Sequence, residues 1–81
     1  MNAPELRQLL KSEPFAPIRL HMSDGGAFDI RHPEMAMLTV HTVHVGLEAS
    51  ARDGIPERVE YLSLRHIVTA EPLVSRVPDR G

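Results

Sequence analysis

The sequence predicts a mainly-β domain: an N-terminal helix, then about five short strands in a small, strongly bent antiparallel β-barrel. Three observations predict it. Ile18, Leu20 and Met22 alternate with Arg19 and His21, and Phe28 and Ile30 alternate with Ala27, Asp29 and Arg31, on the two sides of Asp24-Gly25-Gly26. Period-two alternation across a glycine-rich turn is the pattern of a β-hairpin. A second alternating pair follows, with Ala36, Leu38 and Val40 before His41-Thr42 and Val43, Val45 and Leu47 after it. The third observation is a leucine stripe, Leu6, Leu9 and Leu10, at helical spacing near the N-terminus.

The helix has clear ends. Asn2 and Glu5 stand at capping-box spacing, and Pro4 falls in the first turn, where a missing N–H is harmless. Pro14 disfavours helical backbone at Glu13 and stops the segment. So short a helix is unstable alone, so the leucines must dock on the sheet.

The first strand runs from Phe15 to Met22, with Pro17 near its start. A two-residue Asp24-Gly25 loop would set Leu20 against Asp29. A three-residue loop, Asp24-Gly25-Gly26, instead pairs Met22 with Phe28 and Leu20 with Ile30, and sets His21 opposite Asp29 on the outer face. The apolar match favours the three-residue loop, a type I turn with a G1 bulge and Gly26 in the left-handed position. His32-Pro33-Glu34 then breaks or bends the strand, because proline cannot donate to a ladder. In the second hairpin, a turn at His41-Thr42 pairs Val40 with Val43, Leu38 with Val45 and Ala36 with Leu47. These turn residues are poor ones, so a four-residue loop of the same parity is the alternative. Glu48 to Glu57 reads as a mobile surface loop, Arg58 to Leu62 as a strand, Ser63 to His66 as a tight 3₁₀-like turn, and Ile67 to Glu71 as a last strand before Pro72. Residues 1–74 make the domain and 75–81 a flexible tail. The expected interior is lined by Leu20, Met22, Phe28, Ile30, Leu38, Val40, Val43 and Val45, with the helix capping one open end.

Composition narrows the function. Eighty-one residues make one domain. A chain of this size buries only roughly 60% of its unfolded surface, so its stability is marginal. There is no cysteine, which removes disulfides and thiolate metal sites. Nine basic and eleven acidic side chains leave a net charge of −2, which argues against a strong grip on nucleic acid. Phe15, Phe28 and Tyr61 are the only aromatic rings of their class, too few for a base-stacking platform. Glu5, Arg7 and Lys11 occupy the place of a signal-peptide apolar core, and no run is long enough to cross a bilayer, so a cytoplasmic location is expected.

Ile18 to Ile30, with its Asp-Gly turn, resembles the first motif of Sm-like small barrels. Tyr61-Leu62-Ser63-Leu64-Arg65-His66-Ile67-Val68, with Pro72, resembles the second. The resemblance spans Pro4 to Pro72 and implies an Sm-like or SH3-like barrel that binds RNA or DNA. The Sm uridine-pocket residues and the Lys-His of bacterial Hfq are not reproduced; His66 falls in a comparable turn, beside Arg65. Glu13-Pro14-Phe15, Pro17, Asp24-Gly25, His32-Pro33-Glu34 and Tyr61-Leu62-Ser63-Leu64 also resemble a group of small bacterial proteins of unknown function. That resemblance implies a bacterial origin and no assigned activity.

Five histidines are the most tempting chemistry. His41 and His44 flank the presumed turn, but a structural metal site normally needs four ligands and no Cys or Asp lies in that hairpin. His21 opposite Asp29 reads as a cross-strand pair with no nucleophile beside it. Gly25-Gly26 has no phosphate-loop spacing. Arg19, Arg58 and Arg65 form a patch only if the fold gathers them. No catalytic, cofactor or metal residue is assigned. His32, Glu34, His41, His44, Arg65 and His66 are the candidate ligand or partner contacts. The expected function is a non-catalytic interaction module, with an Sm-like RNA- or DNA-binding regulator as the alternative. Self-association is expected through strand edges, Val43–Leu47 or Arg58–Leu62 pairing with the last strand of a neighbour.

Overall fold

A computed structural model describes residues 1–48 and 53–73. One helix, α1 (Ala3–Leu10), precedes six strands: β1 (Ile18–Met22), β2 (Ala27–Ile30), β3 (Ala36–Leu38), β4 (Thr42–Leu47), β5 (Arg58–Ser63) and β6 (Ile67–Pro72). Two 3₁₀ turns, Pro33–Met35 and Leu64–His66, link β2 to β3 and β5 to β6. The strands form two antiparallel three-stranded sheets, ordered β2-β1-β6 and β3-β4-β5. Six strands form where about five were expected, in two small sheets with no closed barrel among the described residues. The expected flexible tail and most of the tip of the loop before β5 lie outside the described residues.

The helix starts as its residues dictate. Asn2 Oδ1 accepts from the Glu5 amide at 2.9 Å, and Glu5 Oε1 accepts from the Asn2 amide at 3.0 Å. Leu6 is wholly buried, with Leu9 and Leu10 packed at its sides. The N-terminal ammonium donates to the carbonyls of Leu64 and Ile67 at 3.4 and 3.2 Å, which ties the helix to the second 3₁₀ turn.

The first hairpin keeps the expected parity but not the expected register. Ile18 pairs with Ile30, Arg19 with Asp29, Leu20 with Phe28 and His21 with Ala27, a shift of two residues. The loop is Ser23-Asp24-Gly25, closed by Met22 and Gly26, and Gly25 at φ +95° takes the left-handed position assigned above to Gly26. Asp24 explains the shift: its carboxylate accepts from the Gly26 amide at 2.9 Å, which places Asp24 in the turn one residue before the left-handed site. His21 therefore does not face Asp29. Arg19 does, and His21 Nε2 lies 2.7 Å from Glu71 on β6.

The second hairpin also slips by two. Ala36 pairs with Val45, Met37 with His44 and Leu38 with Val43, so the tip is Val40-His41 and not His41-Thr42. Thr39 makes this turn possible without Gly or Asn. Its hydroxyl accepts from the amides of His41 and Thr42, at 3.2 and 2.9 Å, while its own amide donates to Thr42 O at 2.8 Å. The four residues Thr39 to Thr42 thus separate the last strand pair, as in the longer-loop alternative. Val40 is at the tip and 75% exposed, so it is not an interior residue.

The core is shared by both sheets and the helix. Leu6, Ile18, Leu20, Ile30, Val43 and Val45 are buried, with Leu62, Leu64 and Ile67 closing the group. Met22, Phe28 and Leu38 pack partly against it. Seven of the eight expected interior residues thus belong to one core or its margin; Val40 is the exception.

Candidate functional site

The outer faces of the two sheets carry different chemistry. On β2-β1-β6, Arg19 donates to both oxygens of Asp29, at 2.7 and 3.1 Å, and Arg31 reaches the same carboxylate at 3.3 Å. The Arg19 hydrogen bonds hold the Asp29 carboxyl below the ordinary carboxylate range, and those same bonds push the guanidinium further up. With His21 beside Glu71, this face pairs most of its own charges.

The outer face of β3-β4-β5 is apolar. Met37, His44 and Tyr61 form a cross-strand row, because the register sets His44 opposite both neighbours. The His44 and Tyr61 rings stack with centroids 4.2 Å apart and planes 7° apart. His44 Nε2 lies 3.1 Å from Thr42 Oγ1, which fixes the ring. Gly46 continues the face toward the other end of β4. A Cβ there would come within 3.0 Å of Pro56 and 3.2 Å of Met35 Sδ, so the lack of a side chain lets both residues close over the strand. The result is a shallow depression of about 610 Å³ that also takes in Glu34, Ile55 and Val59. Four of the six most exposed large apolar side chains among the described residues, Met37, Ile55, Val59 and Tyr61, line it.

β5 is the edge strand of its sheet. On its other side a second depression, about 490 Å³, separates Glu60–Ser63 from the first hairpin, with Met22, Phe28 and Leu62 among its lining. Among the described residues β6 is likewise an edge, paired with β1 alone. β4 is paired on both sides, by β3 and β5, so Val43–Leu47 has no edge to offer a neighbour.

The candidate contact residues do not converge on one site. Glu34 and His44 share the apolar depression, while His41 and Arg65 line another with Val40 and Leu64. His66 Nδ1 approaches Ser23 Oγ at 3.4 Å beside the first hairpin turn. His32 stands apart near Asp29 and Arg31. Among the described residues no three His, Asp or Glu side chains gather as a metal-ligand set. None of their helices is long and apolar enough to cross a membrane. Sequence reasoning missed Met35, Met37, Ile55, Val59 and Tyr61 as one surface. The available signal was that Met37 and Tyr61 are large apolar residues at outward positions of alternating strands.

No family model, curated protein or solved structure matches the chain.

Proposed function

We propose that the protein is a non-catalytic interaction module that self-associates through the edges of β5 and β6, which no other described strand pairs. The observation that carries this reading is that these two strands, consecutive in the chain, are both sheet edges. Each also exposes apolar side chains, Val59 and Tyr61 on β5 and Val68 on β6. Read through the Pro33–Met35 turn, β2 and β3 are one bent strand. The order then becomes β6-β1-β2/β3-β4-β5, a partial barrel open between β5 and β6. Unpaired strand groups at such an opening are a template for the complementary edge of another copy, and the exposed valines and tyrosine supply cross-strand apolar pairs.

Light scattering over a concentration series tests it. A mass above 9.0 kDa that rises with concentration is the expected result. The double variant Val59→Lys, Val68→Lys is expected to remain monomeric. A wild-type monomer throughout rejects the reading.

The second reading is an Sm-like RNA- or DNA-binding regulator of bacterial origin. It is favoured by the helix-first order, the Asp-Gly hairpin and the 3₁₀ turn between the last two strands. The net charge of −2 opposes it. Filter binding of single-stranded RNA and duplex DNA at low salt is expected to show no retention; strong, salt-sensitive retention would replace the first reading with this one.

A further inference from the structure

The depression on the outer face of β3-β4-β5 has its own chemistry, and we infer that it docks an arginine-bearing, otherwise aliphatic segment of a partner protein. This rests on reading the chain as an interaction module, but it uses the face of the sheet and not the strand edges. A strand added beside β5 lengthens this face and leaves Glu34, Met35 and Met37 uncovered, while it sets a side chain beside Tyr61.

Charge complementarity selects the occupant. Among the described residues, Glu34 is the one carboxylate lining the depression, and no Lys or Arg lines it. Glu34 makes no ion pair with another described residue. Tyr61 adds a second cation-seeking element. His44 covers one face of its ring, and no other described strand lies beyond β5, so Tyr61 is 72% exposed. The face of a phenol carries negative potential, and a guanidinium is planar enough to continue the stack. An ammonium would lose that planar contact. Met35 and Met37 provide soft, adaptable apolar contact for the aliphatic neighbours of the arginine. An anionic segment or a phosphate backbone would meet Glu34 with no Lys or Arg among the described lining residues to offset it.

Tyr61 is the only tyrosine and the chain has no tryptophan, so intrinsic fluorescence reports directly on this site. The probe is a blocked hexapeptide of alternating valine and arginine; the reference replaces arginine by glutamate. The arginine peptide is expected to change Tyr61 emission saturably, and added salt to weaken the response. Glu34→Gln, at an exposed position, is expected to weaken binding by roughly two- to fivefold, the scale of one exposed ion pair. Met37→Lys, also exposed, is expected to abolish the response. No saturable change at about millimolar peptide, equal binding of both peptides, or an unaltered affinity of Glu34→Gln overturns the inference. Light scattering on the same samples separates the two claims: a peptide response from a monomeric protein upholds the face while rejecting edge pairing.

Discussion

The outer faces of the two sheets are built on the same alternation and differ in what stands at the outward positions. On β2-β1-β6 these are Arg19, His21, Asp29 and Glu71, joined in pairs. On β3-β4-β5 they are Met37, His44, Val59 and Tyr61, which leave apolar area in water. The inward positions of both sheets serve one core, so folding constrains them alike. The outward positions are constrained by water on one side and, on the reading proposed above, by a partner on the other. Surface charge pairs contribute little to stability, and exposed apolar rows contribute little as well. The contrast is therefore a contrast of surfaces, and substitutions can separate surface from scaffold.

The largest effect is expected where the comparison vanishes. Leu20 is wholly buried on β1 but packs in the core common to both sheets. Leu20→Ala is expected to cost about 2–5 kcal/mol in urea unfolding. A single transition reported alike by circular dichroism and Tyr61 emission supports one core; two separated transitions would show sheets that fold independently. Next is Gly46→Val, which crowds Pro56 and Met35. A cost of about 1–3 kcal/mol is expected, with an altered Tyr61 environment. Unchanged stability and emission would show that the depression is not held by this close approach.

On the charged face the expected signature is pH dependence. Asp29 titrates below its ordinary range because of Arg19, so its contribution is complete above the unfolded-state pKa and is lost as pH falls through the lower folded value. The unfolding midpoints of wild type and Asp29→Asn should differ most near neutrality and converge in strong acid. A gap that persists undiminished at the acid end contradicts this assignment. Arg19 is shifted upward, so its own titration lies far above any working pH. The smallest effect is expected for Met37→Gln, within about 0.5 kcal/mol of wild type in urea unfolding, because the residue is 65% exposed. The same variant should bind the arginine peptide more weakly, and a large loss of stability would mark Met37 as scaffold instead.

The sequence made the inward pattern legible because burial repeats every two residues in a strand. Parity was therefore readable at both hairpins while register was not. A slip of two leaves every side chain on its own face, so the apolar match cannot detect it. The deciding contacts were local and polar: the Asp24 carboxylate on the Gly26 amide, and the Thr39 hydroxyl on the amides of its own turn. Each slip had a consequence at the surface. One delivered Arg19 instead of His21 to Asp29, and the other moved Val40 from the interior to a loop tip. The apolar depression was illegible for a different reason. Met35, the pair Ile55-Pro56 and Tyr61 come from three separate segments, and they meet only because Gly46 leaves room above β4. Among the candidate contacts, Glu34 and His44 were brought into it, and the other four were left elsewhere.

The pairing of β5 with β6 of another copy can be observed directly in a mixture of isotope-labelled and unlabelled protein. Isotope-filtered NMR is expected to show contacts between Val59 or Tyr61 of one copy and Val68 of the other, growing with concentration. Their absence in a sample that light scattering finds assembled, or contacts joining β2 edges instead, would contradict the account.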